Sequence, residues 1–228
     1  MTIITIRQPG YLPNIGFFKK IQASDIFVYL DDAQYAIRAW DNRNKIRTNE
    51  NSCWISVPVI HPFGKKLNEV KISYSKNWID NHKNLIEANY NTSPYFKNYW
   101  SEIESILNKK FEKLIDLNLE LIQYFNKILH IDTPTIRSSE LKIETMETQR
   151  LFDICKKLNA SIYRSGSFGK EYLDETIFKK GKISIIYEKF QHPTYNQMKK
   201  EFVPNLAIID LLFHEGEKSR EIIIDSAN

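Results

Sequence analysis

The opening thirty residues constrain the fold more than any other stretch. Thr2-Ile3-Ile4-Thr5-Ile6 is short and β-branched, as a strand requires, and Gln8-Pro9-Gly10-Tyr11-Leu12-Pro13 breaks it with three turn formers. From Gly16 the apolar positions Phe17, Phe18, Ile21 and Ala23 suit a short amphipathic helix. Ile26-Phe27-Val28-Tyr29-Leu30 is then a second apolar run, ending at Asp31-Asp32. Strand, loop, helix and strand in that order predict a parallel pair with its loops at one edge of the sheet. The expected fold class is α/β, a mainly parallel central sheet with flanking helices.

Strand and helix alternate again late in the chain. After Pro134, residues 135–139, 161–166 and 183–187 read as strands, and residues 147–158, 171–180 and 205–213 as helices. The middle differs. Residues 53–59, with Pro58 at an edge, and residues 70–74 predict a small antiparallel insertion near 50–75, preceded by the polar segment 41–47. Apolar residues at three- and four-residue spacings predict a helical region, three helices, near 78–130. The tail 221–225 suits either a last edge strand or a fraying end. At 228 residues, 42% hydrophobic and with only 7 Gly and 8 Pro, the chain is expected to form a single domain without a flexible linker.

Thirty-two Lys and Arg against 28 Asp and Glu give +4, without the concentrated basic block that marks nucleic-acid binding. Cys53 and Cys155 are too few and too far apart for a disulfide framework or a metal cluster, which favours a reduced compartment. The first residues lack the charged and apolar regions of a signal peptide, and no window approaches the roughly 20 apolar residues that span a bilayer. A cytoplasmic protein without membrane insertion is expected. The histidines at 61, 82, 130, 192 and 214 have no i, i+4 spacing and neither cysteine adjoins one, so no metal site is expected. A Gly-x-Ser-x-Gly elbow, a Walker lysine loop and a Gly-x-Gly-x-x-Gly turn are all missing from the sequence. That weighs against a serine hydrolase, a P-loop kinase and a dinucleotide oxidoreductase.

In open parallel sheets, ligands lie outside the carboxyl ends of the strands. Four polar groups fall at such ends: Arg7-Gln8 with Tyr11, Asp31-Asp32 with Gln34, Ser138-Ser139, and Ser165-Gly166 through Lys170. Their convergence would make a cleft, although Ser, Asp and Gly are also what ordinary turns and caps require. Adjacent carboxylates on an extended chain point to opposite faces. One of Asp31 and Asp32 would therefore reach the cleft while the other caps the next turn. Arg43, Lys45 and Arg47, interleaved with Asn42 and Asn44, offer cations and amides suited to a phosphate or diphosphate, as a solvated polar face also would. His192, in His192-Pro193-Thr194-Tyr195-Asn196-Gln197, follows a predicted strand and is the histidine best placed to act as a base.

These segments carry a resemblance. Gln8-Pro-Gly-Tyr11-Leu-Pro13-Asn-Ile-Gly16, Asp25 through Asp31-Asp32-Ala-Gln34-Tyr, Asn42-Arg43-Asn-Lys-Ile46 and Trp54-Ile-Ser-Val-Pro58 belong to it. So do Asn89-Tyr90, Pro94-Tyr95-Phe96, Ser138-Ser139, Tyr163-Arg-Ser165-Gly166, Tyr172-Leu, the His192 to Gln197 segment and Ile209-Asp210-Leu-Leu-Phe. From Thr2 to about Gly216 the chain resembles the WbqC-like family.

That family occurs in bacterial clusters for O-antigen and other surface polysaccharides, beside enzymes that make nucleotide-linked deoxy amino sugars. The resemblance implies a cytosolic enzyme whose partner is a nucleotide-activated sugar, with acylation or aminoacylation of the sugar amine as its reaction. Such transfer needs a base and donors for the carbonyl oxygen. His192, Asp31 or Asp32 would be the base, and Asn42, Arg43, Ser138 and Ser139 the donors or diphosphate ligands. Arg7, Gln8, Tyr11, Gln34, Ser165, Gly166, Tyr195 and Gln197 would complete the substrate site. The donor is open between an acyl-CoA and ATP with an amino acid, and a homo-oligomer is open too.

The chain departs from the family where many relatives carry a histidine before Gln-Pro. Arg7 stands there, and a guanidinium stays protonated and cannot replace a base. Asn14 stands where a tryptophan is common, and Ala207 where a serine is usual. The first unit also resembles the opening of nucleotidyltransferase-like folds, without their His-x-Gly-His signature, which implies an ATP-dependent aminoacyl ligase as the alternative. A non-enzymatic binding or scaffold protein of the same pathway is the third reading.

Overall fold

A computed structural model describes residues 1–198 and 201–226, and its first unit follows from the local sequence. β1 (Ile3–Arg7) runs through the Pro-rich loop into α1 (Ile15–Gln22), where the Asn14 side chain accepts the Phe17 N–H at 3.3 Å. β2 (Ile26–Tyr29) returns parallel to β1, with Ile4 opposite Ile26 and Ile6 opposite Val28.

The chain then leaves the sheet. β3 (Arg43–Arg47) and β4 (Ser52–Ser56) form one antiparallel pair, and β5 (Val59–Ile60) and β6 (Lys71–Ile72) another. The segment read from sequence only as polar, ahead of the insertion, is thus largely a strand. Its Asn44 and Arg47 are buried because their side chains reach backbone carbonyls inside the protein, which a hydrophobicity pattern cannot register. The three expected helices follow as α2 (Trp78–Tyr90), α3 (Phe96–Asn108) and α4 (Leu114–Ile128).

β7 (Thr135–Arg137) re-enters the sheet, and the alternation continues with α5 (Glu147–Lys157), β8 (Ile162–Ser165), α6 (Glu175–Lys180) and β9 (Ser184–Tyr187). α7 (Ile208–Glu215) and α8 (Ser219–Asp225) end the chain. The tail is therefore neither edge strand nor frayed end. Ile223 is buried in the core and Lys19 of α1 donates to the Ile224 carbonyl at 2.7 Å, so packing overrides the β preference of an isoleucine run.

The central sheet has five strands, all parallel, in the order β7-β2-β1-β8-β9. From β1 the chain steps outward one way to β2 and β7, then crosses back to β8 and β9 on the other side. The order reverses between β1 and β8, the topological switch point of a doubly wound sheet.

Alternation along the strands assigns the two faces. Ile4, Ile6, Val28 and Tyr163 pack with Leu151, Ile154 and Cys155 of α5 and Phe178 of α6. Phe27 and Tyr29 pack on the opposite face with Phe17, Phe18 and Ile21 of α1 and Ile122 and Phe125 of α4. Thr5, bonded to Ser24 at the end of α1 at 2.6 Å, faces that second side, and the two-residue period puts Arg7 there with it.

His82 of α2 is buried, with the Tyr11 hydroxyl 3.0 Å from its Nδ1 and the Trp78 ring edge-on at 5.1 Å. Burial lowers its pKa to about 4, against the opposing pull of a hydrogen bond to the Ser56 backbone. The unfolded chain takes up a proton near pH 6.5 that the folded state refuses until about pH 4. Stability is therefore whole above the higher value and falls as acid is added between the two. From pH 7 to pH 5 the expected loss is about 2 kcal/mol, read from urea midpoints, and His82→Gln should flatten it. An equal slope in wild type and variant would exclude His82 as the cause.

Candidate functional site

The carboxyl ends of β1, β2, β8 and β9 open into one cleft of about 1520 Å³. A single drug-sized ligand needs roughly 300–1,000 Å³, so this cleft has room for two substrates side by side.

Its floor carries two cations and a carboxylate. Arg7, the last residue of β1, is open to the cleft yet surrounded by its walls, and its guanidinium makes no hydrogen bond or ion pair with a described residue. Lys20 of α1 pairs with Glu188, just past β9, and its Nζ lies where a Cβ on Gly166 would approach to 3.7 Å. Burial pushes the Lys20 pKa down and Glu188 pulls it back up, while Arg7 and Arg164 push it down again. Arg7 thus adds like charge beside Lys20 and is itself opposed by Glu188 and Asp41, and its exposed guanidinium, without a hydrogen-bonded partner, suits an anion in the cleft.

One wall is built on paired carboxylates. Asp32 lines the cleft and pairs with Arg150 of α5. Asp31 is fully buried behind it, accepting from Arg137 Nε at 2.8 Å, the Ser139 N–H at 2.9 Å and the Ser139 hydroxyl at 2.7 Å. The Ser138 hydroxyl sits between Asp31 and Asp32. Burial alone would raise the Asp31 pKa, yet these hydrogen bonds and the Arg137 charge hold it below the usual carboxylate range. Asp31 thus ties β2 to the turn after β7.

The facing wall is the loop between β2 and β3. Asp41 lines the cleft, buried, with one carboxylate oxygen accepting the Ala36 N–H at 3.1 Å. Burial raises its pKa, against the Ala36 amide and the Arg7 charge, which lower it. Asn118 of α4 fixes this wall by donating to the Pro9 carbonyl at 2.9 Å and the Asp41 carbonyl at 2.8 Å. The contact between the two loops needs glycine at position 10, since a Cβ there would stand 2.5 Å from the Trp40 carbonyl oxygen.

Of the residues singled out from sequence, Arg7, Gln8, Tyr11, Asp32, Gln34 and Gly166 line the cleft together. Gln8 donates to the Gln34 carbonyl at 3.1 Å, and the Tyr11 hydroxyl is committed to His82. Ser165 is buried at the end of β8, and Ser138 and Ser139 are committed to the two aspartates.

The remaining candidates sit apart from the cleft lining. Asn42 donates to the Val57 carbonyl at 2.8 Å, and Arg43 donates to the Ala39 carbonyl at 3.1 Å while lying 4.2 Å over the Trp54 ring. Arg47 is buried, holding the Asn51 and Glu201 carbonyls, whereas Lys45 does line the cleft. Tyr195 and Gln197 donate to one oxygen of buried Asp210 at 2.6 and 2.9 Å, and Tyr90 donates to the other at 2.9 Å, which locks the loop before α7. His192 keeps its Nδ1 2.8 Å from the Pro193 carbonyl, its ring among Phe190, Tyr195 and Phe202, and burial lowers its pKa.

Lys20, Asp41, Arg150 and Glu188 belong to the cleft and were not singled out. The strand-end rule that found the other groups applies equally to Glu188 after β9, and Lys20 lies one helical turn beyond Gly16. No local signal marks Asp41 or Arg150.

Fold and cleft together define a doubly wound α/β protein with a cleft of mixed charge at its switch point, Arg7, Lys20 and Arg150 standing among Asp32, Asp41 and Glu188. The chain belongs to the WbqC-like protein family, whose model matches residues 8–222. It is 30% identical over 227 residues to a Mycobacterium tuberculosis (strain ATCC 25618 / H37Rv) protein described as uncharacterized protein Rv1507c, covering 98% of each chain. No solved structure matches it at a significant level. Among the described residues, no helix is long and apolar enough to cross a membrane.

Proposed function

We propose that this protein is a cytoplasmic enzyme that transfers an acyl or aminoacyl group to the amine of a nucleotide-linked deoxy amino sugar, in the assembly of a bacterial surface polysaccharide. The observation that carries this reading is Arg7, whose guanidinium is open and has no hydrogen-bonded protein partner among the described residues, at the switch point of a doubly wound sheet, in a cleft large enough for two substrates. A planar guanidinium suits a diphosphate, and Lys20 adds a second cation beside it. The family resemblance supplies the amino sugar and the acyl chemistry.

The sugar amine arrives protonated at neutral pH and must lose a proton before its lone pair attacks the acyl carbonyl carbon. Asp41 replaces the residues named from sequence as the base, because it is the cleft carboxylate whose pKa burial raises while it remains within the field of Arg7. Asp31 is committed to Arg137 and the serines, and Asp32 to Arg150 and Ser138. The carbonyl oxygen gains charge as the amine adds, and the cleft cations stabilise it. The donor, an acyl-CoA or an aminoacyl adenylate formed from ATP, carries its own leaving group.

The test is turnover. Purified protein with a dTDP- or UDP-linked amino sugar and a panel of acyl donors should yield the sugar plus one acyl mass, and no product across the panel would refute the transfer. Asp41→Asn should lower kcat about a hundredfold or more with little change in KM, and wild-type kcat should fall on acidification through the raised Asp41 pKa. A variant with wild-type kcat would move the base elsewhere. A second reading, an ATP-dependent aminoacyl ligase, draws support from the strand order, which serves mononucleotides generally. Pyrophosphate release that needs only ATP and an amino acid would favour it.

A further inference from the structure

The cleft has an apolar lip that the proposed chemistry leaves unused. The turn after β8, residues Ser167–Glu171, carries Phe168, which is 73% exposed, and leads to Tyr172, 62% exposed. Met146, at the cap of α5, is 76% exposed, and all three line the cleft. Large apolar side chains left in water around the rim of one cavity mark a surface that a ligand covers.

Their exposure is built in. A Cβ on Gly169 would collide with the Ser165 side chain and stand 3.1 Å from the Tyr187 ring, so the turn lies pressed on the sheet and Phe168 is left outside. The Leu173 N–H donates to the Gly169 carbonyl at 2.9 Å, and Thr148 of α5 accepts the Asp174 N–H at 3.2 Å and donates to the Tyr172 carbonyl at 3.4 Å. The lip is thus ordered before anything binds, which reduces the entropy a ligand must overcome.

We infer that Phe168 and Tyr172 form a stacking platform for the base of a nucleoside diphosphate whose phosphates run onto Arg7. The inference deepens the proposed transfer and rests on it. Two observations select this occupant. The exposed groups are aromatic faces, which bind flat rings of any base identity. Tyr172 also lines the same cleft as Arg7 and lies within its electrostatic reach, and the open Arg7 guanidinium, without a hydrogen-bonded partner, suits an anion. A ligand that joins a flat ring to a short polyanion satisfies both. Nucleotide sugars and coenzyme A donors share that chemistry.

Titration calorimetry on the full chain with UDP, dTDP, ADP and inorganic pyrophosphate tests it without turnover. At least one nucleoside diphosphate should bind about tenfold or more tighter than pyrophosphate, and the double variant Phe168→Ala with Tyr172→Ala should erase that advantage while leaving pyrophosphate affinity unchanged. Preference for UDP or dTDP supports the nucleotide sugar, the acyl acceptor, as the source, and preference for ADP the acyl donor. Both side chains are exposed, and circular dichroism checks that the variant folds. Equal wild-type affinity for pyrophosphate and every nucleoside diphosphate overturns the platform but leaves the transfer reading standing, and so does a double variant that keeps the nucleotide advantage. No binding of any of the four overturns both.

Discussion

Arg7→Ala should weaken binding of a nucleoside diphosphate or pyrophosphate about a hundredfold or more while leaving the protein as stable as wild type. The two halves of this result have one cause. Hydrogen bonds to a charged group contribute roughly 1.5–3 kcal/mol each, and a guanidinium can place two on one phosphate. The Arg7 guanidinium makes none within the protein, so its removal breaks no side-chain hydrogen bond, and the attraction lost to Glu188 and Asp41 is offset by relief of its own desolvation and of repulsion with Lys20. Arg7→Lys should recover only part of the affinity, because an ammonium keeps the charge without the fork. Unchanged affinity in Arg7→Ala would take Arg7 out of the site and with it the main support for an anionic substrate.

The opposite pattern is expected at Asp31. Asp31→Ala should cost about 3 kcal/mol of folding stability, seen as a lower urea midpoint with the slope unchanged. The substitution strands the Ser139 N–H, the Ser139 hydroxyl and the Arg137 guanidinium, while the Ser138 hydroxyl keeps Asp32. Arg137 is partly exposed, and water offsets some of its loss. Because its folded pKa is depressed, the contribution of Asp31 is fully present above the ordinary carboxylate pKa and is lost only as acid carries the pH down through the folded value. A loss of less than about 1 kcal/mol would show that the buried carboxylate is not what holds β7 and the turn after it against β2.

The two residues entered the reading of the sequence on equal terms, as polar groups at strand ends, and the structure gives them opposite duties. Local pattern could place both. The β-branched run 2–6 and the apolar run 26–30 have the period of strands, and the residues that follow them had to lie at the carboxyl edge once the strands were parallel. The same reasoning located the turns after β7 and β8. It failed for Arg43 and Arg47, whose charge suggested phosphate but whose donors are taken by carbonyls of residues 38, 39, 51 and 201. It also failed for Tyr195 and Gln197, which are spent on Asp210. A motif dense in polar residues looks alike whether it binds a ligand or closes a core.

The amino-acid sequence by itself determined the five strands of the central sheet, the helices up to α7, the class of fold and the edge at which a site would form, because those follow from periodicities of two and 3.6 residues that act within a few turns of chain. Only the tertiary structure decided which polar side chains are free. Lys20 meets Glu188 across 168 residues and Asp31 meets Ser139 across 108, and a short-range pattern holds no record of such a partner. Whether a charge is spent inside the protein or left for a ligand depends on that partner, which is why the Arg7 side chain stands open to the cleft while Lys20 is paired with Glu188.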